Sequence, residues 1–183
     1  KKPLLDAFNY SFELGHLSKT QCTGLICLHH KGKGQLREKI GSWRPITLSN
    51  TDYKIIAKVL ARSRLNTCLH KCVEPDQYAF IKGRQIADLL RELDDIIEHG
   101  KLHFPNSIIL SIDYAKAFDT LSVNAIRKAL FHFGFGDVFC KWIDILFSKR
   151  TSCVSNGGFI SDVFDIERGV KQGCPVSPLI FIS

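Results

Sequence analysis

The chain has 183 residues, 45% hydrophobic and 23% charged, which suits a globular protein with one or two modest cores and excludes disorder along most of its length. No apolar run reaches the roughly 20 residues that span a bilayer, and Lys1-Lys2-Pro3 opens no signal peptide, so the chain reads as intracellular, with nucleus and cytoplasm both open. Lys and Arg number 25 against 18 acidic residues, a net charge of +7 that calls for an anionic partner without choosing between nucleic acid and membrane headgroups.

Seven cysteines, an odd number without regular spacing, fit reduced thiols better than a disulfide framework. Cys22 and Cys27 lie near His29 and His30, but their spacing matches no compact zinc site. The chain has no methionine and breaks off inside the apolar run Leu179 to Ser183, so it is expected to be cut from a longer protein.

In chain order, Leu4, Leu5, Phe8, Phe12 and Leu14 recur at helical spacing, which predicts a first helix before Gly15. Thr23 to Leu28 reads as a strand, His29 to Trp43 as a polar, basic, exposed loop, and Arg44 to Leu48 as a short extended return. Ile55, Ile56, Val59, Leu60 and Leu65 mark one face of a helix from about Thr51 to Leu69, capped by Ser49 or Asn50. After a polar link, Glu74 to Gln77, the period of Ile86, Leu89, Leu90, Leu93 and Ile97 predicts a helix beyond Gly83.

Ser107 to Ile112 is a β-rich run that delivers Asp113 at its end. Ser122 caps a predicted helix through Ile126 and Leu130, and Trp142 to Phe147 gives another. Cys153 to Ile160 predicts a hairpin around an Asn156-Gly157 turn. Arg168 to Phe181 is a glycine turn entering a helix, with Ser177 as its cap and Pro178 in its first turn. Strands unevenly interleaved with helices favour an α+β fold, and the lack of a GxGxxG or P-loop run disfavours a nucleotide fold of those types.

Two segments carry chemistry. Asp113 at a strand end would suit a hard divalent cation, although a lone strand-end aspartate serves more often as a cap or surface charge. Gly169 and Gly173 flank Lys171-Gln172 closely enough for a backbone to approach a flat ligand that Gln172 can hydrogen-bond; the plainer alternative is an ordinary turn.

Taken in order, Trp43-Arg44-Pro45-Ile46-Thr47-Leu48, Asp113-Tyr114-Ala115-Lys116-Ala117-Phe118-Asp119 and Gly169 to Pro178 resemble the reverse transcriptase domain of non-LTR, LINE-type retrotransposons. More distantly they resemble group II intron maturases, and the likeness runs from about Thr23 to the end. It implies a right-hand polymerase: fingers with a basic loop over residues 1–112, an incomplete palm over 113–183, and no thumb. It also implies an RNA template, a DNA primer, deoxynucleoside triphosphates and two Mg²⁺ ions, with no membrane and an open oligomeric state.

Residue by residue, the resemblance makes Asp113 the catalytic metal ligand, joined by the Tyr114 carbonyl, and Phe118 the ring that excludes a 2′-hydroxyl. Arg44 and Lys31 or Lys33 would meet the triphosphate; His30 stands where many relatives have a basic residue, which leaves that choice open. Gln172 and Gly173 would line the nucleotide pocket, and Lys82 and Arg84 would follow template phosphates, or else be solvated charges. Asp119 and Lys116 are expected to be structural. The family's paired aspartates, which complete the metal site, have no counterpart after Gln172, so this piece is expected to be inactive alone, its rival being a non-catalytic nucleic-acid-binding remnant.

Overall fold

The computed structural model describes residues 2–182. Helix α1 (Lys2–Leu14) turns through a short α2 (Lys19–Cys22) into β1 (Thr23–His30). Ser18 and Gln21 form a reciprocal capping box on α2, satisfying donors that a single-turn helix would otherwise leave open. Strand β2 (Trp43–Leu48) returns antiparallel to β1 in a register pairing Cys27 with Ile46 and His30 with Trp43.

Next comes one helical run: α3 (Thr51–Leu60), a π-helical turn (Ala61–Leu65) and α4 (Asn66–Cys72), slightly longer than the apolar period predicted. Asn50 is at the cap position of α3, yet its side chain makes no capping bond; Asn50 Nδ2 donates to the Thr20 carbonyl at 2.6 Å. Together with Gln21 Nε2 donating to the Asp52 carboxylate at 2.7 Å, this ties α2 to the start of α3.

The expected helix after Gly83 is α5 (Ile86–His103), and none of its residues is buried. The predicted strand Ser107–Ile112 does not form: residues 107–114 are irregular, with Ile108 90% and Leu110 78% exposed. A strand needs a partner for its backbone groups, and no other strand among the described residues pairs with this run. Asp113 therefore follows an irregular segment that no strand among the described residues pairs with.

The rest of the chain is α6 (Ala117–Thr120), α7 (Val123–His132), α8 (Asp137–Phe147), β3 (Thr151–Asn156), β4 (Phe159–Ile160), β5 (Phe164–Asp165) and α9 (Ser177–Ile182). Ser122 caps α7 as expected, its hydroxyl accepting from the Ala125 N–H at 3.0 Å. In the β3–β4 hairpin Asn156 pairs with Phe159, so the two turn residues are Gly157 and Gly158, both at positive φ, one position later than the Asn-Gly turn predicted. Ser177 lies within the first turn of α9, and its buried hydroxyl has no hydrogen-bond partner among the described residues, so it is no side-chain cap.

The sheet runs β2-β1-β3-β4, with β5 also on β3. Its β1–β3 pair is parallel, Leu25 beside Cys153, and the others are antiparallel. This is an α+β arrangement, in which Tyr53, Leu65, Leu69, Leu130, Ile143, Leu146 and Val176 are among the most deeply buried side chains. The parallel pair sets the second half of the chain beside the first.

Candidate functional site

The Arg168–Gly173 turn joins three segments far apart in sequence. The Gly169 and Val170 N–H groups donate to the carbonyls of Leu121 (2.8 Å) and Phe118 (2.7 Å), and the Thr47 N–H donates to the Gln172 carbonyl at 2.8 Å. Gly169 has φ +81 and Gly173 φ +105, conformations that favour glycine. A Cβ on Gly169 would lie 2.8 Å from the Phe118 carbonyl oxygen, and one on Gly173 2.8 Å from that of Thr47, so these glycines permit backbone to dock on backbone.

Beside the turn is a cleft of about 120 Å³ whose lining includes Ile26, Thr47, Asp119, Ser152, Arg168 and Gln172. It is smaller than the roughly 300 Å³ of ordinary small-molecule pockets, so it would grip one edge of a larger ligand. Gln172 Nε2 lies 3.5 Å from the Asp119 carboxylate across it, a long and weak contact that a ligand could displace. A larger hollow of about 780 Å³ between α5 and residues 104–109 holds none of the three motif segments. The converging polar groups, rather than size, mark the smaller cleft as the candidate site.

Two cations lie beneath the turn. Lys171, 5% exposed, donates from Nζ to the Cys22 carbonyl at 3.0 Å, and Arg150, 3% exposed, donates to the Gly169 carbonyl at 2.5 Å. Burial holds both below their usual pKa range, because a charge inside the fold loses its hydration. Burial likewise pushes the Tyr53 hydroxyl well up, with the Cys174 thiol adding to the shift, and raises the Cys22 thiol against the pull of Lys171 and Lys149.

The other expected site residues are spread out. Phe118 does not line the cleft; its half-buried ring stacks on Phe181 with centroids 5.0 Å apart and planes at 17°. Arg44 is exposed on β2, three residues from Thr47, or roughly 10 Å along a strand. Lys31 and Lys33 are exposed in the β1–β2 loop, which closes through the Lys31 N–H and the Ser42 carbonyl at 2.9 Å. His30 packs edge-on against Trp43 at 5.1 Å.

Lys82 is exposed, whereas Arg84 donates to the carbonyls of Glu74 (2.6 Å) and Gln77 (2.7 Å) and so clasps the loop before α5. Lys116 takes a left-handed φ of 53, and its carbonyl accepts from Asp119 and Thr120, a structural part in the turn. Asp113 and Tyr114 are exposed. Carboxylate and carbonyl oxygens are the right kind of donor for a hard cation, but the described residues contain no cluster of three or more acidic, His or Cys ligands. The part of Lys171 and Arg150 has little local signal, since Lys171 meets Cys22 and Tyr53, and Arg150 meets Gly169, all distant in sequence, and only Phe147 lies near its partner Arg150.

A family profile for reverse transcriptase (RNA-dependent DNA polymerase) matches residues 30–183. The chain is similar, at 30% identity over 171 residues, to the transposon TX1 uncharacterized 149 kDa protein of Xenopus laevis, covering 93% of this chain and 13% of that protein. It is 30% identical over 139 residues to the retrovirus-related Pol polyprotein from type-2 retrotransposable element R2DM of Drosophila melanogaster, covering 76% and 13%. A type-1 element R2 polyprotein of Popillia japonica is 32% identical over 145 residues, covering 79% and 20%. The chain thus spans no more than a fifth of the length of these relatives.

Proposed function

This chain belongs to the reverse transcriptase family of RNA-dependent DNA polymerases, and from that premise we propose that it is the nucleotide-selecting part of a LINE-type retrotransposon enzyme that copies RNA into DNA. The observation that carries the reading is the Gly169–Gly173 turn, which bonds to both the Phe118 and Thr47 backbones and so gathers the three motif segments around one cleft. In this reading residues 1–112 are fingers and 113–183 part of a palm.

The chemistry is attack of a primer 3′-hydroxyl on the α-phosphorus of a deoxynucleoside triphosphate, with pyrophosphate leaving. Such a transfer asks the protein for positioning and positive charge. Arg44 with Lys31 or Lys33 meets the triphosphate, and Gln172 and Gly173 meet the nucleotide at the cleft. Phe118 takes the space of a 2′-hydroxyl, while Lys82, with Arg84 at the same bend, runs beside the template backbone. The family generally uses a divalent metal; here Asp113 and the Tyr114 carbonyl would hold Mg²⁺ with further carboxylates, and the ion supplies charge neutralisation at the phosphates. The structure supports the reading through the docked turn and the exposed cationic loop.

Primer extension on an RNA template by the full-length protein, with magnesium and deoxynucleotides, tests it. DNA synthesis that Asp113→Ala abolishes, with template binding retained, is expected. Synthesis unchanged by that substitution removes Asp113 from the site, and a protein that binds template in a salt-sensitive way but makes no DNA is a binding remnant instead.

A further inference from the structure

Buried cations are normally neutralised by acids, yet neither Arg150 nor Lys171 forms an ion pair among the described residues. Both ion pairs found there, Arg91–Asp88 and Arg127–Asp144, involve other residues. Apolar side chains would fill the same space without the cost of stripping water from two charges. What they could not do is hold two chosen carbonyls in place.

Those carbonyls are well separated in the chain. Cys22 ends α2 where β1 begins, and Gly169 opens the glycine turn. Lys171 Nζ also sits 4.9 Å from the centroid of the Tyr53 ring, and the Arg150 guanidinium 5.4 Å from that of Phe147, so aromatic faces steer both cations. Next to buried Lys171, Gln172 is half-buried and lines the cleft. Moving the Lys171 anchor therefore moves Gln172.

We infer that Lys171 and Arg150 are positioning residues which fix the Gly169–Gly173 turn from below and thereby set Gln172 against an incoming nucleotide, an inference that rests on the reading of the cleft given above. Their task is geometric: the Lys171 amine donates to the Cys22 carbonyl whether charged or neutral, and the Arg150 guanidinium donates to the Gly169 carbonyl.

The test uses the full-length protein as Lys171→Met, which keeps length but removes the donor, beside Tyr53→Phe, which removes only the hydroxyl contact to the Cys174 sulfur and leaves both the Lys171 donor and the ring face beside it. Hydrogen exchange of the Thr47 amide, which donates to Gln172, reads the turn directly; KM and kcat for deoxynucleotides read its use. In Lys171→Met the Thr47 amide should exchange about tenfold faster than in Tyr53→Phe while the amides of α7 match. KM should rise about fivefold with kcat little changed. Lys171→Arg, which keeps a donor, should recover most of both. Thr47 protection equal in the two variants, or KM and kcat shifting only with the folded fraction, overturns the inference. Should Lys171→Met not fold, Arg150→Lys is read on the same amide, with faster exchange expected and unchanged exchange overturning. A parent protein that makes no DNA refutes the polymerase reading, and the exchange result still decides whether the cations position the turn.

Discussion

Gly173 packs so tightly on Thr47 that a Cβ added to it would lie 2.8 Å from the Thr47 carbonyl oxygen, while the Thr47 N–H bonds the neighbouring Gln172 carbonyl at 2.8 Å. The strand of one motif and the turn of another are thus joined backbone to backbone. Gly173→Ala must strain a φ of +105 and push the turn off β2. A loss of about 1–3 kcal/mol in chemical denaturation is expected, with a matching fall in primer extension. A loss below about 0.5 kcal/mol would show that β2 yields and the contact is not tight.

The Phe118–Phe181 stack makes a prediction about sugar choice. Phe118→Ala removes the ring proposed to exclude a 2′-hydroxyl, and Phe181→Ala removes the ring it stacks on. Ribonucleotide incorporation relative to deoxynucleotide should rise by about tenfold or more in the first and by less in the second. Equal discrimination in wild type and Phe118→Ala would assign the gate to another group.

Tyr53 controls part of the alkaline stability. Burial raises its hydroxyl well above the ordinary value of 10.0, so the folded state keeps a proton that the unfolded chain gives up. Its stabilising contribution is therefore whole below pH 10 and is lost as pH climbs from there toward the raised folded value. Lys171, lowered by burial, works in the opposite sense just below its ordinary 10.5, where the unfolded chain binds the extra proton. Tyr53→Phe should flatten the alkaline fall in a melting-temperature profile while costing less than about 1 kcal/mol at neutral pH, since it gives up only a weak contact to the Cys174 sulfur at 3.6 Å. An unchanged alkaline limb would show that groups other than Tyr53 account for it.

Lys82 and Arg84, two residues apart, should behave differently. Lys82→Ala removes an exposed cation and should lower the slope of log affinity against log salt for template RNA by about 1, with stability unaltered. Arg84→Ala releases the Glu74 and Gln77 carbonyls and should cost about 1 kcal/mol of stability. Filter binding across a salt series, with melts in parallel, separates them; loss of the same salt slope without destabilisation in Arg84→Ala would make it a phosphate contact.

Much of this architecture can be read from residue order, because local signals carry it. The apolar period gave α1, α3, α5, α7 and α8, Ser122 announced its cap, and the ordered motifs pointed to the family that the profile match shows. What escaped depends on contacts between distant segments. The β character of Ile108 to Ile112 cannot make a strand without a neighbour, the hairpin turn shifted by one residue because Gly158 tolerates positive φ better than Asn156, and Asn50 turned from its own helix to the Thr20 carbonyl. The burial of Lys171 and Arg150 has no local signature at all.

The bare segment from Ile108 to Ile112 also governs how the chain can be handled. Four large aliphatic side chains, Ile108, Ile109, Leu110 and Ile112, are 62–90% exposed on a backbone whose hydrogen-bonding groups no strand among the described residues engages. β-branched, uncharged, proline-free stretches of this kind template cross-strand growth between molecules. The 183-residue chain should therefore self-associate through this stretch as its concentration rises, and a charged substitution such as Ile109→Lys should keep it dispersed in light scattering without changing its melting temperature.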